Sequence, residues 1–110
     1  MDNSAALEAL ASLSQASRLD AFKLLVRYAP EGLPAGEVAR LLDVPQNTMS
    51  SHLAILQRAG LVRAERQGRS IICHADLNCL RALMLFLVRD CCGSSKNITL
   101  PLVAELALAC

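Results

Sequence analysis

Gln46-Asn47-Thr48-Met49-Ser50-Ser51-His52-Leu53-Ala54-Ile55-Leu56-Gln57-Arg58-Ala59-Gly60 is the stretch whose reading decides the fold. At about 100° per residue, Met49, Leu53, Leu56 and Gly60 gather on one side of a helix. Asn47, Ser51, Ala54 and Arg58 lie on the opposite side, with Thr48 and Ser50 flanking them. A helix is therefore expected from near Gln46 to Ala59, with Gly60 as its left-handed stop. Its outer side carries no bulky apolar residue except Ile55, at the margin. A side that small and polar is narrow enough to enter a major groove and can hydrogen-bond base edges or phosphates. Gln46 and Asn47 stand at the N-terminus, where either can pair in bidentate fashion with adenine. The same Ser, Thr and Asn would also suit any solvated helix face. His52, between the two sides, is open to a structural role or a phosphate contact.

Toward the N-terminus, Val38, Leu41 and Leu42 inward with Glu37 and Arg40 outward predict a short helix after Pro34. Asp43-Val44-Pro45 breaks it, because the residue before proline avoids helical geometry. Earlier still, Ala6, Leu7, Leu10 and Leu13 follow the capping candidates Asn3 and Ser4. A second helix, capped by Ser14 or Ser17, puts Leu19, Phe22, Leu25 and Val26 on one side and ends at Pro30 and Gly32. Beyond Gly60 the period changes. Two β-compatible runs, 61–66 and 70–75, flank Gln67-Gly68-Arg69, which reads as a hairpin. Asp76 then caps a final long helix with Leu80, Leu83, Met84, Leu87, Val88 and Cys91 in a stripe. Gly93-Ser94-Ser95 ends that helix. Residues 1–93 form one domain, and residues 94–110 are a C-terminal tail.

Two short helices joined by a tight turn and followed by a hairpin describe a winged helix-turn-helix, mainly α with a small β-hairpin. Arg66 and Arg69 fall at or beside the wing tip, where arginines reach backbone phosphate or are merely solvated. The composition agrees: 54% of residues are hydrophobic and only 3% aromatic, with Leu and Ala prominent. The net charge is +1, so basic character is local. Arg58, Arg63, Arg66 and Arg69 lie in one short stretch whose single acid is Glu65. Asp2 and Glu8 near the start argue against a signal peptide, and Ile98 to Cys110, interrupted by Pro101 and Glu105, is too short to span a bilayer. Five cysteines, an odd number without a secretion signal, fit reduced thiols and a cytoplasmic location. Cys73-His74 might suggest a nucleophile and its base, but consecutive strand residues point to opposite faces, so no enzyme is expected.

Ala16-Ser17-Arg18-Leu19, Phe22-Lys23-Leu24-Leu25 and Glu37-Val38-Ala39 precede the decisive helix, and Leu56-Gln57-Arg58-Ala59-Gly60-Leu61-Val62 closes it. With Ser50-Ser51-His52-Leu53, this run resembles the ArsR/SmtB family of metal-sensing repressors across nearly all of residues 5–92. The resemblance implies a homodimer joined through its first and last helices and bound to double-stranded operator DNA. Inverted repeats with half-sites about a helical turn apart would match its two-fold axis. It also implies release from DNA when a metal or other ligand binds. Carried over by position, Gln46, Asn47, Thr48, Ser50, Ser51 and His52 fall on the recognition helix, and Arg66 and Arg69 on the wing.

The Cys-x-Cys motif that some relatives carry in the third helix is missing here, since Leu41, Leu42 and Val44 occupy that region. Arg89-Asp90-Cys91-Cys92-Gly93 instead resembles arsenic-responsive relatives whose last helix ends in a Cys-Cys pair, with a third cysteine a few residues later. Adjacent thiolates are soft ligands that suit As(III), Sb(III), Cd(II), Pb(II) or Cu(I); the resemblance favours As(III), whose three-coordination needs one more sulfur. Ser94 to Leu100 contains no cysteine. Cys110 is then the remaining candidate, returned by a flexible tail at modest loop-closure cost. Cys79 lies about 18 Å from Cys91 along a helix and points away from the stripe. Cys73 reads as a small packing residue, and Cys91 itself falls on the apolar stripe, where a thiol also serves as a small buried hydrophobe. Two rivals stay open: a thiol-based redox or sulfur-sensing repressor of the same fold, and a winged-helix interaction module that binds no DNA.

Overall fold

The computed structural model describes residues 1–91 and 96–109, with the side chains of Asp90 and Cys91 outside that description. Helix α1 (Asn3–Leu13) begins on Asp2, whose carboxylate accepts the Ala5 N–H at 2.7 Å. The cap therefore lies one residue before the expected Asn3 or Ser4, and it places negative charge at the positive helix end. Helix α2 (Ala16–Arg27) begins on Gln15, whose side chain accepts the Arg18 N–H at 2.9 Å. Ser14 does not cap α2, because its hydroxyl donates back to the Ala11 carbonyl at the end of α1. Ser17 is already inside the first turn.

A two-residue strand, β1 (Leu33–Pro34), leads into α3 (Ala35–Leu41). Helix α4 (Gln46–Arg58) follows a turn in which Asp43 takes φ 53°. Strands β2 (Val62–Gln67) and β3 (Ser70–Ala75) pair antiparallel from Val62↔Ala75 to Gln67↔Ser70, around Gly68-Arg69. β1 adds to the other edge of β3, with Leu33 opposite Cys73. The expected hairpin is thus part of a three-stranded sheet in the order β1-β3-β2. Two residues, one of them a proline, carry no alternation from which β1 could have been read.

Asp76 caps α5 (Leu77–Phe86) as expected, accepting the Cys79 N–H at 3.0 Å. The anticipated long helix is interrupted, however, by a π-helical turn over Leu87–Cys91, in which the hydrogen-bonding step widens to five residues. A further helix, α6 (Lys96–Ala109), occupies the stretch the sequence left as a tail.

One core joins these elements. Phe22 and Leu25 of α2, Val38 of α3, Met49, Leu53 and Leu56 of α4, Leu61, Val62 and Cys73 of the wing base, and Leu83 of α5 are all buried together. In α1 the buried ridge is Ala6, Ala9 and Ser12, not the leucines. Leu7 is 66% exposed, and Leu10, Leu19, Val26, Leu41, Met84 and Leu87 also face outward from the single chain. Small residues let α1 sit close to α2 and α4, which turns its large side chains away from this chain's own core.

The wing is fastened at its base and free at its tip. A Cβ placed on Gly32, at φ 75°, would stand 2.5 Å from the Cys73 carbonyl oxygen and 2.7 Å from His74 Nδ1. His74 is buried there, with Nδ1 3.1 Å from the Pro30 carbonyl. A Cβ on Gly68, at φ 62°, would meet nothing within 4 Å. Gly68→Ala should therefore cost only the left-handed backbone term, about 1–2 kcal/mol. Gly32→Ala should cost about 1–3 kcal/mol beyond that, from overpacking. Urea unfolding of both variants checks the order, and equal losses would contradict the close approach at Gly32.

Candidate nucleic-acid interface

The two sides of α4 have opposite fates. Met49 and Leu56 are fully buried and Leu53 nearly so, while Gln46, Asn47, Thr48, Ser50, Ser51, Ala54 and Arg58 are exposed. His52 and Ile55 lie between them, half-buried. Pro45 precedes the helix with extended backbone and gives it no side-chain cap, and the first turn holds no acid. The positive end of α4 is therefore not countered by a carboxylate of its own. Asn47 Oδ1 accepts the Thr48 N–H at 2.9 Å, and Ser51 Oγ donates to the Asn47 carbonyl at 3.3 Å. His52 Nδ1 is buried without a hydrogen-bond partner.

The N-terminal half of α4 faces the wing across a cleft of about 400 Å³. Gly36, Gln46 and Ser50 line one wall, and Arg69, Ser70 and Ile71 the other. A sugar-phosphate strand that divides a major groove from its neighbouring minor groove has to pass through such a gap when helix and wing engage both. The structure thus brings Gln46, Ser50 and Arg69 together. Arg66 is exposed close by, its Nε donating to the Gly68 carbonyl at 3.3 Å. Arg58 is separate: it stands at the other end of α4, beside Arg18 and Glu8 of a second cleft. Gly36, Ser70 and Ile71 are cleft residues the sequence did not signal, because nothing in their type marks them. Arg40, also near α3's surface, is paired with Glu37 through two contacts. That hydrogen-bonded pairing holds the Glu37 carboxyl below its ordinary range and the Arg40 guanidinium above it.

The thiols divide in a similar way. Cys73 is buried in the core, and burial pushes its pKa up. Cys79 packs against the core near Gly60, instead of pointing away as the helical wheel suggested. Burial, then the neighbouring Asp76 charge, pushes its thiol up as well. Cys92, Cys110 and the side chain of Cys91 lie outside the described residues. Among the described residues no group of three His, Cys, Asp or Glu side chains is placed to hold a metal ion. The flexible tail invoked for Cys110 is helical over Lys96–Ala109. Fourteen helical residues span about 20 Å, so an intact α6 does not fold its far end back by loop closure.

The sequence matches the helix-turn-helix domain family over residues 13–65. No curated protein matches it significantly. Among solved structures, an ArsR-like transcriptional regulator from Rhodococcus sp. RHA1 superposes with a TM-score of 0.71 at 24% identity, over 94% of this chain and 93% of that one. A homodimeric winged helix-turn-helix DNA-binding domain from Mycobacterium bovis, a possible ArsR-family regulator, gives 0.65 at 22% identity over 77% of each chain. A possible transcriptional regulator for arsenical resistance gives 0.61 at 25% identity, over 74% of this chain and 84% of that one. The match shows a helix-turn-helix domain over residues 13–65, and these neighbours, named as regulators, share the winged-helix fold. Among the described residues no helix is long and apolar enough to cross a membrane.

The raised thiols have a consequence that can be measured. Because the thiolate is the reactive form, Cys73 and Cys79 should alkylate more slowly in the folded chain than in urea. Peptide mass spectrometry after timed iodoacetamide treatment checks this. Equal rates before and after unfolding would remove both thiols from the core.

Proposed function

We infer that this chain, a winged helix-turn-helix protein of the ArsR family by its fold and its helix-turn-helix match, is a homodimeric transcriptional repressor. It holds an inverted-repeat operator through α4 and the wing. It lets go when a thiophilic ion, foremost As(III) and next Sb(III), meets the thiolates of Cys91, Cys92 and Cys110. The observation that carries the DNA-binding part is the division of α4. Its apolar side is spent entirely on the core, and its small polar side is left to solvent beside an arginine-tipped wing.

Each element has a distinct task in this reading. Asn47 and Gln46 read base edges from the N-terminal turn of α4, with Thr48, Ser50, Ser51 and His52 on bases or the adjoining backbone. Arg66 and Arg69 neutralise phosphates and so hold register without reading sequence. Arg58, at the far end of α4, contributes charge to the flanking backbone. Two copies related by a two-fold axis place their recognition helices in successive major grooves.

Operator binding should weaken steeply with salt, and Arg66→Ala should lower the slope of log K against log salt by about 1. Asn47→Ala should cost about 1–3 kcal/mol on the preferred site and relax discrimination at one base pair. Fluorescence anisotropy over a salt series measures both. An unchanged slope with Arg66→Ala removes the wing from the interface.

The sensing part rests on the soft, adjacent pair Cys91-Cys92 and the burial of the other described thiols. Cys91→Ser and Cys92→Ser should each bind the operator normally yet stay bound when As(III) is added. Full release by As(III) in either variant would reject the site. A Cys110→Ser dimer that still responds would show that the third sulfur comes from elsewhere.

A further inference from the structure

We propose that Ile71 is the residue by which the cleft between α4 and the wing tells deoxyribose from ribose. Its apolar side chain packs on one sugar of the strand that passes through, and a 2′-hydroxyl at that sugar is left without a partner. The DNA-binding reading is its premise, to which it adds the kind of sugar the cleft accepts.

Most large apolar side chains left exposed lie on α1, α5 and α6, whereas Ile71 is 51% exposed on the wing, among groups that form hydrogen bonds. Its direction follows from the pleat. Successive strand residues alternate between the two faces of a sheet, and Cys73, two residues on, is buried in the core. Ile71 therefore points to the same side as Cys73, but nearer the wing tip, where the sheet has left the core and borders the cleft. Gln46 and Ser50 of α4 form the wall opposite. Strand propensity does not account for the residue, because a threonine is β-branched as well and would suit an exposed position better.

The surroundings of Ile71 match the alternation of a nucleic-acid backbone, in which each sugar lies between two phosphates. Arg66 is its partner across the β2–β3 ladder, on the same side of the sheet, and Arg69 stands two residues back. Both arginines are exposed. With phosphates drawn to the two cations, the intervening sugar is brought against the isoleucine. The adjoining wall, Pro34, Ala35 and Gly36, carries no polar side chain either. In deoxyribose the C2′ atom is a methylene, and covering it with isoleucine removes apolar surface from water. In ribose the same carbon bears a hydroxyl, which would lose its water there and gain no hydrogen bond. That hydroxyl is the group by which a protein separates RNA from DNA at a given position.

Fluorescence anisotropy tests this on the inverted-repeat duplex that the natural chain selects from a random pool, and on copies carrying one ribonucleotide at each position in turn. At one position in each half-site, the ribonucleotide should weaken the natural chain at least about fivefold. Ile71→Val, still apolar, should keep that loss. Ile71→Thr, of nearly the same shape but with a hydroxyl that can pair, should reduce it to within about twofold. A ribonucleotide's effect on the shape of the duplex is common to all three proteins, so the comparison cancels it. A natural chain that binds no duplex overturns the DNA-binding reading and the sugar contact with it. Binding without any ribose-sensitive position, or a loss that Ile71→Thr leaves intact, overturns only the sugar contact. A loss that instead follows replacement of one thymine by uracil places Ile71 on a base methyl and likewise overturns the sugar contact alone.

Discussion

Everything in this molecule depends on holding α4 by one side only. Met49, Leu53 and Leu56 are locked into the core against α2, α3 and the wing base, with His52 and Ile55 half-buried at the margin. Burying three such residues supplies several kcal/mol, at roughly 1.5–3 kcal/mol each. A recognition surface can therefore be made of small polar groups that add nothing to stability. The wing is subject to the same constraint. Its base, where Cys73, His74 and Ala75 are buried beside β1, is fixed, while its tip is open to solvent. Helix and tip are thus presented on one rigid frame with a cleft between them.

The elements around α4 were legible because each has a local cause. Asp76 at the N-cap, Gly60 as a stop, Gly68 in the turn, and the three-to-four spacing of Met49, Leu53 and Leu56 are chemical statements that one sequence makes by itself. The errors arose where a neighbour decides. Periodicity identified α1 as a helix from Ala6, Leu7, Leu10 and Leu13, but only Ala6 and Leu13 of these meet the core, since hydrophobicity does not say which apolar partner a residue meets. Ala6 and Ala9 face this chain's core. β1 was missed for the opposite reason: two residues have no period, and only β3 makes them a strand. Within the candidate interface, exposure of Gln46, Asn47, Thr48, Ser50 and Ser51 followed from the wheel. The cleft shared with Arg69 did not, because it depends on how the hairpin is angled.

Misplaced leucines on α1 and the exposed leucines of α6 have a common explanation. A chain of 110 residues has little interior to share out, and this one spends it on the helix-turn-helix and wing base. Most of the large apolar residues left exposed lie on α1, α5 and α6, with Ile71 of β3 an exception beside the polar side of α4. Such a division suits a protein whose second half of the core is another copy of itself. It also keeps the dimerising and DNA-facing surfaces from competing for the same residues.

That separation determines how an effector can act. In the proposed reading an ion at Cys91 and Cys92 would bind where α5 ends, outside the cleft between α4 and the wing, and would not compete with DNA for the same space. On that reading it would act by changing the angle between subunits, since both recognition helices have to fit successive grooves at once. A small rotation at the axis is enlarged at the distant α4, because each subunit moves as one packed body. The required coupling is modest: about 1–3 kcal/mol of preference for the rotated dimer changes affinity roughly 5–150-fold. The π-helical turn at Leu87–Cys91 is where such a preference would be set, since the winding beyond α5 there departs from a regular α-helix and takes in the first cysteine of the pair. A continuous α-helix through that point would resist reorientation along its whole length. An interrupted one confines the change to the end at which the thiolates bind.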